Sequence, residues 1–139
     1  MVKGVSTDND LMKIVFRNVG NTPSYLGATN IYCALHSTDP SAGNQATGEA
    51  TYTNYDRATV AKDVTGWIIS GNVTFNAGLI QFPQCGSSGQ TVGYVSIGTV
   101  NGTTNSGQIL YCGSLNSPLT VSNLIQPQFT SGALQITET

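Results

Sequence analysis

From Thr29 onward, apolar side chains recur at every second position in short runs, and none of these runs shifts to the three-and-four spacing of a helix. In the first, Ile31, Cys33 and Leu35 fall on one side and Tyr32, Ala34 and His36 on the other. Runs of the same kind occupy 58–62, 66–70, 72–76, 79–82, 92–99, 108–115, 119–122 and 133–137, so nine strands are expected. Ser70-Gly71-Asn72 marks a tight hairpin turn between two of them, because Gly and Asn tolerate the positive φ angles such a turn demands. The polar stretches 86–90 and 101–107 read as exposed loops. Short strands without intervening helices predict an all-β fold, an antiparallel two-layer β-sandwich of jelly-roll-like or related Greek-key type. Composition agrees: 59 of the 139 residues are Gly, Thr, Ser or Asn, all poor helix formers. The length suits a single domain over 1–139, and no internal repeat suggests a propeller or solenoid.

One helix is expected, at the N-terminus, over about 7–18. Thr7 stands as its cap, Leu11, Ile14 and Val15 recur at helical spacing, and Gly20 follows. Asp8 and Asp10 lie in its first turn and Lys13 and Arg17 near its end, the charge order that the helix dipole favours. Its apolar face is expected to pack on the domain's own sheet.

Charge excludes one class of function. Only 9% of residues are Asp, Glu, Lys or Arg and the net charge is -2, which leaves no basic stripe to neutralise phosphates, so no nucleic-acid partner is expected. No stretch is apolar enough to span a membrane, and residues 1–6 lack the apolar core of a signal peptide. Cys33, Cys85 and Cys112 are odd in number and have no metal-type spacing, so they read as free thiols. Cys33 and Cys112 are expected to be buried on facing strands, and Cys85 to lie in a loop. The acceptor patterns at Asn72 and Asn101 are chance matches in an Asn/Thr-rich chain without a secretory route.

Candidate chemistry is thin. His36, Ser37 and Asp39 lie too close in sequence to converge as a triad, and the Asp39-Pro40 pair fits an Asx turn better. No carboxylate pair is framed like a sugar-cleaving site, and Asp39 with Glu49 does not form a calcium loop. Trp67 reads as a core anchor rather than a sugar platform, and Arg57 as a structural partner. An enzyme is therefore not expected, nor a catalytic residue, a metal or a cofactor; what remains is surface contact. The longest irregular stretch, 37–51, has no apolar residue larger than alanine, so a contact loop is expected there. Its candidate contact residues, continued to Tyr55, are Asp39, Asn44, Gln45, Glu49, Tyr52 and Tyr55.

The run Tyr32-Cys33-Ala34-Leu35-His36-Ser37-Thr38-Asp39-Pro40, then Ala42-Gly43-Asn44-Gln45, Glu49-Ala50-Thr51-Tyr52 and Tyr55-Asp56-Arg57, resembles a family of small tailed-phage virion structural proteins. Gly66-Trp67, Phe82-Pro83, Ile97-Gly98-Thr99, Ile109-Leu110-Tyr111-Cys112-Gly113 and the closing arm 118–137 follow in the same order, so the likeness covers nearly the whole chain. Members are labelled tail-fibre-like or capsid cement (decoration) proteins. The resemblance implies a protein made in the host cytoplasm and placed on the capsid surface of the virion. There, as a dimer or trimer without a membrane partner, it would bind the major capsid protein and stabilise the assembled shell. The alternative it implies is a tail or tail-fibre component that contacts a host receptor glycan or another tail protein, for which Tyr52, Tyr55, Tyr94 and Tyr111 would supply exposed aromatics.

Overall fold

The computed structural model describes residues 1–17 and 23–139. Ten strands and one α-helix follow in the order β1 (Val2–Lys3), α1 (Val5–Arg17), β2 (Asn30–His36), β3 (Ala58–Ala61), β4 (Trp67–Ser70), β5 (Val73–Asn76), β6 (Ile80–Gln81), β7 (Gln90–Gly98), β8 (Ile109–Val121), β9 (Gln128–Phe129) and β10 (Gln135–Thr137), with a 3-10 turn at Ser24–Leu26 before β2. All pairings are antiparallel. One layer is a five-stranded sheet in the order β1-β8-β7-β2-β3; the other is divided into β10-β5-β4 and the pair β6-β9. This is the expected all-β sandwich with one short helix. Among the described residues no helix is long and apolar enough to cross a membrane.

The core lies between the layers. Cys33, Leu35, Val60, Val95, Ile97 and Leu110 from the larger sheet meet Ile80, Phe82, Leu134 and Ile136 from the other side, with Trp67 and Phe129 packed at its margin. The opposite face of β2 and β7 is buried too: Ala34, His36 and Ser96 are fully enclosed, so the centre of this sheet shows runs of buried residues where alternation would leave every second one wet. A bulge in β8 shapes the interlayer face. Ile97 pairs with Tyr111 and Gly98 with Ile109, so Leu110 is the extra residue, and it lines the same interlayer cleft as Tyr111.

Several expectations are corrected. The helix starts at Val5 rather than Thr7: the Gly4 carbonyl accepts the Asp8 N–H, and the Thr7 hydroxyl, buried inside the first turn, donates to the Ile109 carbonyl at 2.9 Å. A tertiary bond thus takes the hydroxyl that sequence assigned to a cap. The expected face residues Ile14 and Val15, and Gly20, fall outside what the structure describes of side chains and backbone. Strands expected at 108–115 and 119–122 are one continuous β8, irregular in register against β7 between Val92 and Tyr94. Cys33 and Cys112 do not face each other across the sandwich. They share the five-stranded sheet on either side of β7, opposite Ile97 and Ser96 respectively, and therefore on opposite faces. All three cysteines are free and buried, Cys85 in the loop between β6 and β7.

Candidate interaction surface

The segment expected to be a solvated contact loop, 37–55, is closed onto the protein by buried polar groups. Glu49 and Arg57 form a two-pronged ion pair, Nε to Oε1 at 2.6 Å and Nη2 to Oε2 at 2.8 Å, with side chains 6% and 0% exposed. Most of the remaining capacity is used. Arg57 donates to the Val100 and Asn105 carbonyls, while Glu49 accepts from the Tyr55 hydroxyl and the Thr104 N–H. A buried ion pair tolerates its desolvation only when such additional bonds satisfy it. Gln45, completely enclosed, lies against Gly98 and Gly107, where a Cβ would sit 2.1 Å from its Cδ and 1.9 Å from its Oε1. Only glycine allows the amide this close to β7. Its Oε1 accepts the Val100 N–H at 2.9 Å.

His36 ends β2 under this same cover. Its Nδ1 is 2.9 Å from the Thr47 carbonyl and its Nε2 2.7 Å from the Ser96 hydroxyl. A carbonyl only accepts, so Nδ1 carries the proton and Nε2 accepts from Ser96. Burial pushes the imidazole below its ordinary range, against the smaller opposing influence of the Thr47 carbonyl and Glu49. Ser37 donates to the Gly48 carbonyl rather than to His36, and Asp39 caps the Ser41 N–H at 2.9 Å in the expected Asx turn.

Of the six candidate contact residues, then, Gln45, Glu49 and Tyr52 are buried, Asn44 and Tyr55 are half-buried, and Asp39 alone is exposed. The Tyr52 hydroxyl donates to the Pro83 carbonyl and the Tyr55 hydroxyl to Glu49, so neither offers a free aromatic edge. Polarity misled the reading: the segment reaches the interior through hydrogen bonds rather than apolar area.

Accessible apolar groups gather elsewhere. On α1, Val5, Met12 and Phe16 are exposed at spacings of seven and four, which places them along one side of the helix. Ile68 and Ile69 on the edge strand β4, and Val64 in the turn that precedes it, are exposed. Two clefts open nearby. One of about 600 Å³ lies between the layers, walled by Ile31, Trp67, Ile97, Leu110 and Ile136; near its end Glu138 accepts from Lys3 and Tyr111, which holds its carboxyl below the usual range. The other, about 770 Å³, is more polar and brings Asp39 together with Tyr94, Ser114, Asn116 and Gln135. A signal for the β4 region is present in the sequence: 64–137 contains no Asp, Glu, Lys, Arg or His.

Apolar ridges and open clefts are thus the accessible features of this small sandwich. Its class follows from a family model that spans nearly the whole chain, that of a phage virion structural protein. The sequence model of the family described as Podophage GP4 fiber I protein gp80 matches residues 5–137, and the chain belongs to that family. No curated protein matches it.

Proposed function

We propose that this chain is a component of a podophage tail-fibre assembly and acts by contacting another protein of the virion. The observation that carries the reading is the exposure of Phe16 and Met12 on α1 and of Ile68 and Ile69 on β4, since apolar side chains left in water at this density favour a protein partner over a hydrated sugar. The family description, with its word fiber, supports the tail over the shell, so capsid cement becomes the lesser reading. Contact with a host receptor glycan is a second reading, favoured by the polar cleft where Tyr94 stands beside Asp39, Ser114, Asn116 and Gln135. No step of chemistry is assigned to the chain.

The test compares particles lacking this protein with the same particles after it is added back, scored for attachment to host cells and for thermal release of DNA. Restored attachment with unchanged heat resistance supports the fibre reading. Restored heat resistance with unchanged attachment overturns it in favour of shell cement, because a cement protein stabilises the lattice it binds.

A further inference from the structure

We propose that the open edge of β4 is a self-association surface, where a second copy of this chain adds its own β4 antiparallel across a twofold axis, with Ile69 opposite Ile69. The biological setting of such a pair rests on the fibre-component reading; the geometry does not.

Backbone direction is the first argument. Among the described residues β4 is paired only with β5, through Trp67 to Asn76, Ile68 to Phe75, Ile69 to Thr74 and Ser70 to Val73, and Ser70 and Val73 close the two-residue turn whose Gly71 has φ +62°. The closing pair of such a turn is a hydrogen-bonded one, and alternation then turns Ser70 and Ile68 towards β5 and Ile69 and Trp67 away from it. The pattern is corroborated on both sides: Gly66 offers its carbonyl to Ala77 on the β5 side, whereas the Trp67 N–H leaves the ladder to reach the Asp63 carbonyl. The N–H and C=O of Ile69 therefore both face the open side, and placing this residue on the axis lets the two copies exchange both bonds.

Charge is the second. In a twofold contact the side chain on the axis meets its own copy and its neighbours lie close to theirs, so any charge there comes near a like charge. No residue from 64 to 137 is charged. The charges that share a cleft with Ile69 are engaged locally, Lys62 with the Tyr25 and Leu26 carbonyls, Asp63 with the N–H and hydroxyl of Thr65, and Glu138 with Lys3 and Tyr111. Edge strands are ordinarily blunted by a lysine, a proline or a bulge, and β4 has none of these. Its exposed apolar groups complete the argument: Ile69 is 74% and Ile68 51% accessible. Joining two edges gives a continuous six-stranded sheet, β10-β5-β4 followed by its symmetry mate, and sets the Ile69 side chains of the two copies against each other.

Sedimentation of the full chain from about 1 to 100 μM, at low and high salt, tests this directly. The expected result is a species of twice the 14.5 kDa chain mass whose Kd is unchanged by salt, weakened at least about tenfold by Ile69→Lys and unaffected by Phe16→Lys on α1. Ile69→Cys should form an intermolecular disulfide readily, because directly opposed strand residues lie within bridging distance, and Ile68→Cys should lag because it would face Ser70. A chain that is monomeric throughout, or an oligomer unchanged by a folded Ile69→Lys variant, overturns the proposal. If Ile69→Lys fails to fold, the cross-linking pair decides alone. A dimer that behaves as predicted while the particles show a shell protein keeps this surface and removes the fibre reading; a monomer that restores attachment does the reverse.

Discussion

At the scale of single residues, the fold depends on polar groups that have no access to water. Replacing Glu49 by alanine leaves the Arg57 guanidinium enclosed without its counter-charge, and we expect a loss of about 3–5 kcal/mol, read as a lowered denaturant midpoint at unchanged slope. The double variant Glu49→Met, Arg57→Met should lose less than Glu49→Ala alone, because no charge is then stranded. His36 gives a pH signature. Its folded pKa is depressed below the ordinary 6.5, so the unfolded chain binds the proton first, and stability that is complete above about pH 6.5 falls as the pH drops towards the folded value. Glu49 and Arg57 are the charges that act on the imidazole, and their opposing influences leave burial in control. The slope between pH 6.5 and 5 should be at most about 1.4 kcal/mol per unit and should vanish in His36→Gln, whereas a slope that persists in that variant assigns it to other groups. Glu138 and Asp63, held below the usual carboxylate range by their hydrogen bonds, act only further down the scale. The Asx turn at Asp39 was legible in the sequence because its bond spans two residues. The Glu49–Arg57 pair was not, since its geometry depends on carbonyls of Val100 and Asn105 brought in by a distant loop.

At the scale of elements, strands that lie in a period-two run were legible, the short β6 and β10 inside the runs expected at 79–82 and 133–137 included, and β1 and β9 were not. β2, β3, β4, β5 and β7 fall within a residue or two of their expected positions. β1 and β9, two residues each, have no period to read, and they exist only because β8 and β6 offer them an edge. The division of β8 into two expected strands fell at Asn116-Ser117-Pro118, residues that favour a turn; β8 carries them through with an irregular register against β7. The 37–55 segment shows the opposite error, a polar run taken for a solvated loop. Deleting 41–48 removes Gln45 and the Thr47 carbonyl that holds His36, so we expect an unfolded chain, by circular dichroism, where a solvated loop of that length would tolerate the cut. Exposure on α1 makes a complementary prediction. Phe16→Ser should change stability by no more than about 0.5 kcal/mol, against about 2–5 kcal/mol for Ile97→Ala in the interlayer core, with thermal melts separating the two.

At the scale of the whole molecule, the sandwich suits the proposed contact role in two ways. Its interior is closed by both apolar area and enclosed hydrogen bonds, which frees α1 and the β4 edge to keep apolar side chains outside. Its charges are confined to one part of the chain, 1–63 and Glu138, and the remainder is neutral. The fold class was legible because period-two runs and turn residues are local properties. The surfaces were not, because exposure of Ile69 or Phe16 is decided by what the other elements leave uncovered. The central claim, a fibre component rather than a shell component, is tested most directly by counting this chain in purified particles against the major capsid protein by quantitative mass spectrometry. A shell protein repeats with the lattice and a fibre protein with the few positions at the tail. The account predicts tens of copies or fewer per particle; hundreds, in fixed proportion to the capsid protein, would contradict it.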